Sequence, residues 1–411
     1  MKHVKSVRSK DNLQKMEASH NKRKIILIFK LYFNMIILGF FNGAEDVFMN
    51  PLKAMNNCDR VPLEFFVRSL GFLFYAIYSN LTIMKVSEIV SISLYLVSFI
   101  LFCFPLSESF FIMSVTIYFF AKSFLMGHLS SYGTILLIGP HTAMLLNWLH
   151  FFFGLGYSLG VYLCSLILPY SAIYIMILLS IICVFCIIYA IFPSTSIYEI
   201  EQVENNKPSI ISACTTPIIW ISSLLLFILR MTESGISYYG SKYFLLLYNL
   251  PNPESPLSYQ LIVLAFYTLS RLLSGYFMDY LGHIPSLLLY LSIIFILMSI
   301  GLLIGQYGLW LFYISGFFIG PLFPTCIAFF SDILDSLFII GIPIILAISY
   351  FFCALYDFFS ILIFEKYDVL YEMIVLNFFV LIGCILLGAF YFFMKKKEKN
   401  QFEFNMYFLP L

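Results

Sequence analysis

Read for its alternation of apolar and polar positions, the chain divides into twelve long apolar runs separated by polar breaks. They cover roughly 25–45, 62–79, 87–104, 109–138, 144–168 and 170–192, then 217–248, 257–278, 285–305, 308–330, 337–363 and 371–393. A membrane barrel strand alternates polar and apolar residues over about ten positions, and these runs do not. They approach or exceed the length of about 20 apolar residues that a bilayer-crossing helix needs. The pattern predicts an all-α membrane protein with twelve transmembrane helices. Its longest polar interruption, 193–216, follows the sixth run, so the helices group as two six-helix halves, 25–192 and 217–394. In an architecture of two such repeats the solute binds at the midplane between them.

Composition narrows the function classes. Of 411 residues, 61% are hydrophobic and only 11% charged, against roughly 25% charged in a soluble domain. A soluble enzyme, a disordered chain and a nucleic-acid binder are excluded, and the expected surroundings are a lipid bilayer. The net charge of +1 hides an asymmetry, because residues 1–24 and 395–411 hold twelve of the 23 basic residues. The positive-inside bias places both tails in the cytoplasm, at the plasma membrane or an internal one. With six spans before it the central loop falls on the same side, although its Glu199, Glu201 and Glu204 against Lys207 add no positive charge. The sequon Asn80-Leu-Thr82 then lies in the cytoplasm and stays unmodified. Cys183 and Cys186 form a CxxC inside an unbroken apolar run, where core packing is expected rather than a metal or redox site.

Charged and strongly polar groups inside spans are costly and mark cavities or partners. They are Asn42, Glu45 and Asp46 in span one, Arg68 in span two, and Lys122 and His128 in span four. Asn147, Trp148 and His150 open span five. Arg230, Glu233 and Lys242 lie in span seven, Arg271 and Asp279 in span eight, Asp332 and Asp335 at the end of span ten, and Asp357 in span eleven. Arg230 and Glu233, three residues apart, can pair on one helix face. Asp357 has Arg68, Arg271 and Lys122 as candidate partners.

Two segments carry spacing as well as charge. In 270–283 (SRLLSGYFMDYLGH) Gly275 allows close helix contact and Asp279 can face a neighbouring helix N-terminus, whose partial positive charge favours a carboxylate. Gly282 suits a tight reversal. This segment resembles the loop motif of the major facilitator superfamily in its second-half copy, where the role is gating and structural. The first-half copy, 78–85, lacks the Asp and the glycines. In span five, Gly154, Gly156 and Gly160 leave room for another helix, and Asn147 and His150 add polar groups.

The run LHFFFGLG at 149–156 resembles span five of the sodium-dependent glucose transporter-like branch of that superfamily, which includes the fucose permease. The segments 39–46 (GFFNGAED), 316–325 (GFFIGPLFPT) and 270–275 resemble its spans one, ten and eight. The resemblance implies the major facilitator fold, Asp46 as coupling acid and Asn42 as sugar ligand, with no cofactor beyond a coupling ion, H+ or Na+. In span four the family's acidic residue is replaced by Ser130; His128, two residues earlier, is a substitute titrating group on a different face. Pro253-Glu-Ser-Pro256 resembles a sugar-porter motif but stands at the wrong place in the topology.

The leading expectation is a secondary transporter moving a small polar solute, a hexose, by alternating access, as facilitator or ion-coupled symporter. Substrate or coupling roles fall on Asn42, Asp46, His128, Asn147, His150, Glu233 and Arg271, with Trp148, Tyr132, Tyr238 and Tyr239 available for sugar stacking. Gating and packing roles fall on Gly154, Gly156, Gly275, Asp279 and Gly282. Two alternatives stand beside it: a transporter of an anionic or amphiphilic metabolite anchored by Arg68, Arg230 or Arg271, and a non-transporting receptor or scaffold. A membrane enzyme lacks any HExxH or GxSxG motif.

Overall fold

The computed structural model describes residues 2–55, 63–79, 84–104, 108–139, 141–191, 209–248, 255–334, 337–364 and 369–407. These residues are helical almost throughout. The first half comprises α1 (Lys2–Met55), α2 (Leu63–Ser79), α3 (Met84–Phe102), α4 (Glu108–Leu137), α5 (Thr142–Ile167) and α6 (Ala172–Ile191). A short α7 (Ile210–Thr215), capped by the Ser209 side chain, precedes the second half. That half comprises α8 (Pro217–Ser234), α9 (Gly240–Tyr248), α10 (Ser255–Leu281), α11 (His283–Leu303), α12 (Leu309–Ile319), α13 (Leu322–Leu334), α14 (Phe338–Phe364) and α15 (Val369–Tyr407). A π-helical turn, Gly235–Tyr239, joins α8 to α9, and the Gly320-Pro321 break separates α12 from α13. Each apolar run thus becomes one helical rod, two of them with an internal irregularity.

Ten rods among the described residues are long and apolar enough to cross a bilayer; Val86–Phe102 is a shorter apolar helix, and α2 spans 17 residues. Their outward faces leave large apolar side chains uncovered, among them Phe29, Phe74, Phe185, Leu269 and Phe378. A water-soluble monomer rarely exposes so much apolar surface, and lipid is the solvent that suits it. Exposed Tyr170, Tyr307 and Trp310 ring the bundle at one end, and Trp220 and Tyr280 at the other, as amphipathic rings do at membrane interfaces. The protein is a multi-pass integral membrane protein.

At both termini the helix runs on past the apolar span. Residues 2–24 and 395–407 continue α1 and α15 as helix. Of the central loop, 209–216 is described, and it contains α7. Residues 193–208, the sequon's Asn80 and Thr82, Pro253, Glu254 and Asp335 lie outside the described residues.

Within the first half α1 packs on α5, α3 on α4 and α6, and α2 on α4; within the second, α8 packs on α14 and α15, and α11 on α12 and α15. Two seams join the halves, α2 against α14 and α5 against α10, with α13 also meeting α5. The α1–α5 contact is unusually close. A Cβ on Gly39 or Gly43 would collide with the carbonyls of Phe153 or Tyr157, and a Cβ on Gly156 or Gly160 with those of Ile36 or Phe40. Lipid tails are as apolar as leucine, so helices in a membrane gain from close packing rather than from hydrophobic exclusion. Cys183 and Cys186 are buried in α6, as packing predicts.

Candidate functional site

A cavity of about 520 Å³ lies between the halves. Its walls come from the end of α1, the start of α2, the middle of α4 and α5, and the end of α8, with α10 and the α12–α13 break opposite. These are the helix segments far from the chain termini, so the cavity occupies the end of the bundle away from them. Asp46 is solvent-exposed there despite lying inside a transmembrane run.

The lining is heavily charged: Glu45, Asp46, Glu64 and Glu233 against Arg68, Lys122, Arg230 and Arg271. Three pairs form across or along helices. Lys122 Nζ stands 2.6 Å from Glu45, Arg68 3.1 Å from Glu64 and Arg230 2.8 Å from Glu233. Tyr118 donates a further bond of 2.9 Å to Glu45, and Tyr267 one of 2.7 Å to Glu233. A buried ion pair persists where extra hydrogen bonds satisfy its remaining lone pairs, and both tyrosines do so.

Two charges remain outside these pairs. Asp46 accepts a hydrogen bond from the Tyr157 hydroxyl and has no basic partner among the described residues. Arg271 has no carboxylate partner among them. It donates from Nε to the Gly320 carbonyl (2.9 Å), from Nη1 to the His150 carbonyl (2.9 Å), and from Nη2 to the Tyr267 hydroxyl. Sequence explains the first acceptor. Gly320 O would ordinarily receive the amide four residues on, but that residue is Pro324, which has no N–H. Arg271 takes the carbonyl that proline leaves free. It is thereby a strut that ties α10 to α5 and to the α12–α13 break, and its side chain is 2% exposed.

Beyond the cavity the halves are sealed at the opposite end of the α5–α10 seam. Asp279 accepts the backbone N–H groups of Ala143 and Met144, each at 3.1 Å. It therefore sits on the N-terminus of α5, as the helix-dipole argument expects. Gly275 meets Met144 Cα so closely that a Cβ would stand 2.7 Å away. Gly282 has φ +86° and turns the chain into α11; Gly154 presses on Thr268 of α10. Along the other seam Ser69 Oγ donates to the Ala347 carbonyl at 2.8 Å, and Arg68 Nη2 to the Tyr350 hydroxyl at 2.9 Å.

Of the seven residues assigned substrate or coupling roles, five line the cavity: Asn42, Asp46, His150, Glu233 and Arg271. Two do not. His128 is buried between the rings of Tyr75 and Tyr132, at 6.0 and 5.7 Å between centroids, on a face of α4 that turns away from the cavity. Lys122 and Met126, at the i and i+4 positions, point into it instead. Asn147 is wholly buried at the α5–α13 contact, donating to Ala143 O (2.8 Å) and Thr325 Oγ1 (3.2 Å). Nor do Trp148, Tyr132 and Tyr239 line the cavity; its aromatic surface is Phe119, Phe153, Tyr157, Tyr267 and Phe323. The Tyr238 side chain lies outside the described residues. None of the three cations considered for Asp357 is its partner, since Arg68 and Lys122 pair elsewhere and Arg271 is held by carbonyls. Asp357 instead bears on Tyr239 and Lys242.

Glu64, Tyr157, Gln260 and Tyr267 belong to the lining and were not singled out in the sequence. Glu64 and Tyr267 had a readable signal, each standing four residues before an intramembrane arginine and so on the same helix face. The π-turn at Gly235–Tyr239 carries Ser237, next to Ser234, into the wall. Such turns recur at functional sites.

No protein-family model matches the chain, and no curated protein sequence does. Solved structures do. A major facilitator superfamily transporter, FucP, in the outward conformation superposes with a TM-score of 0.71 at 14% identity, covering 89% of this chain and 99% of that one. A single-substitution variant of the E. coli fucose:proton symporter FucP gives 0.68 at 13%, with 89% and 98% covered. The proton:xylose symporter XylE bound to 6-bromo-6-deoxy-D-glucose gives 0.66 at 14%, with 88% and 95% covered. The backbone architecture is shared over nearly nine-tenths of this chain although the sequences have diverged. The chain has the major facilitator fold, in two six-helix halves around a central cavity.

Proposed function

We propose that the protein is a secondary transporter that carries a small polar solute, a hexose or hexose derivative, across a membrane by alternating access. The observation that carries this reading is the cavity itself: a charged, solute-sized space at the join of two helical halves, accessible at one end and sealed at the other by Asp279 on the α5 N-terminus. Small-molecule sites of about 300–1,000 Å³ are the usual range. Intramembrane charge is costly, and a scaffold without cargo has no use for eight charged side chains facing a cavity. The similar solved structures include a fucose:proton and a proton:xylose symporter, which favours a sugar as cargo and H+ as coupling ion.

Asp46 is the candidate coupling acid. It is the lining carboxylate without a basic partner among the described residues, and it reaches the solvent of the cavity. Glu45 beside it is already compensated by Lys122. Asn42, Tyr157, Ser237 and Gln260 supply neutral groups for hydroxyls. With the termini cytoplasmic, the cavity in this conformation faces away from the cytoplasm.

The test is uptake of labelled sugars into liposomes containing the purified protein, with and without a proton or sodium gradient, comparing Asp46→Asn with the parent. Accumulation that requires a gradient and disappears in Asp46→Asn establishes coupled transport. Equilibrating uptake that ignores both makes the protein a facilitator. Absence of any solute uptake refutes the reading.

A further inference from the structure

The cations of the cavity are not equivalent, and the difference points to the charge of the cargo. Arg271 uses all three guanidinium nitrogens on protein acceptors. Arg230, by contrast, donates from Nη1 to Glu233, and none of its other N–H groups has a partner among the described residues. Its Nε is buried and unsatisfied, as is Nε of Arg68. A buried donor without an acceptor is costly, more so when it is charged.

These two arginines also lie against one aromatic ring. The guanidinium carbons of Arg68 and Arg230 lie 4.5 and 5.4 Å from the centroid of the Tyr350 ring, and Arg230 stacks on Phe323 at 4.3 Å. Arg68 comes from the first half and Arg230 from the second, and both face the cavity. Two guanidinium groups brought together in a site of low dielectric repel one another unless an anion stands between them. Each has a carboxylate on its own helix, Glu64 or Glu233, but among the described residues none lies between them that is not already engaged. A planar guanidinium fork matches a carboxylate in particular.

Charge balance fixes how many negative charges the cargo brings. The lining holds four acidic and four basic side chains. When Asp46 takes up a proton, the cavity is left with one positive charge in excess. The groups that face Asp46 are Tyr157 of α5, Lys122 of α4, Glu64 of α2 and its own neighbour Glu45. A monoanion restores neutrality, whereas a neutral sugar leaves the excess and a dianion overshoots it.

Resting on the transport reading above, we propose that the cargo is a polyhydroxylated monocarboxylate, a sugar acid, whose carboxylate binds Arg230 beside Arg68. Its hydroxyls face Asn42, Ser237 and Gln260. The carboxylate then links the two halves through one arginine from each, which couples loading to closure.

The experiment uses the full chain in liposomes, with uptake of labelled D-glucuronate competed by unlabelled D-glucuronate, its neutral amide, D-glucose and glucose 6-phosphate. A hydrogen-bonded charge contact of about 1.5–3 kcal/mol corresponds to a roughly 10- to 150-fold preference, so glucuronate is expected to outcompete its amide by that factor. In Arg230→Gln the preference collapses toward unity, and Arg230→Lys restores part of it by keeping the charge without the fork. Equal competition by glucuronate and its amide in the parent protein overturns the proposal while the transporter reading stands. A preference for the phosphate overturns the monoanion. If labelled glucose enters and labelled glucuronate does not, the proposal fails alone; if no sugar enters, the transport reading fails with it. Should Arg230→Gln not fold, the comparison of acid and amide in the parent still decides.

Discussion

Neutralising Asp279 should release the sealed end of the molecule. In Asp279→Asn the side chain keeps its shape, but the carboxylate that accepts two backbone N–H groups at 3.1 Å becomes an amide able to accept one of them. A hydrogen bond to a charged group contributes about 1.5–3 kcal/mol, and a negative charge on a helix N-terminus about 0.3–1 kcal/mol. Together about 2–4 kcal/mol is lost from the conformation in which α10 grips α5, a roughly 30- to 700-fold shift in a two-state equilibrium. The assay is labelling by a membrane-impermeant maleimide at Gln260→Cys, on the cavity wall, in a background stripped of the native cysteines. Labelling should slow in Asp279→Asn as the population moves to the state that hides this wall. A labelling rate unchanged within a factor of about two, in protein of unchanged thermal stability, would refute the view that this contact holds the seam shut.

The Lys122–Glu45 pair gives a second expectation. Lys122→Met leaves Glu45 buried with only Tyr118, a loss of about 3 kcal/mol on the scale for stranded buried charges, and the further change Glu45→Gln should recover most of the melting temperature. The glycines give a third. Gly156→Ala drives a Cβ into the Ile36 carbonyl and should cost about 1–3 kcal/mol or more, whereas Gly388→Ala has nothing within 4 Å and should raise stability by about 0.5–1 kcal/mol through helix propensity. Melting curves of the two alanine variants in detergent compare them directly.

The parts of this architecture that follow from a single helix or a local motif could be read in the sequence. Each apolar run became a rod, and Arg230 and Glu233, three residues apart, are a pair. Asp279 rests on a helix N-terminus, and Gly282 turns the chain with a positive φ. What escaped depends on how each helix is rotated about its axis. In α4 every residue from Ala121 to Thr134 is buried, so neither polarity nor periodicity distinguishes the cavity face from the packing face. His128 consequently looked as available as Lys122. Lys122, the partner of Glu45, and the two carbonyls that hold Arg271 are remote in sequence, at separations of 77 and of 49 and 121 residues, and no local pattern announces them. Aromatic residues misled for a related reason: in a chain with 29 tyrosines and 47 phenylalanines, ring content alone cannot pick the few that face the solute.

The glycine contacts between α1 and α5 have a mechanical meaning. Backbone pressed on backbone at Gly39, Gly43, Gly156 and Gly160 leaves no compliant side chains between the two helices, so they tilt as one beam. One end of that beam is the α5 N-terminus held by Asp279, and about 21 Å along it, at about 1.5 Å per residue, Tyr157 holds Asp46. Release at the sealed end therefore moves the acid and its hydroxyl partner as a unit, and a change of charge at Asp46 acts on the far seam through a stiff lever.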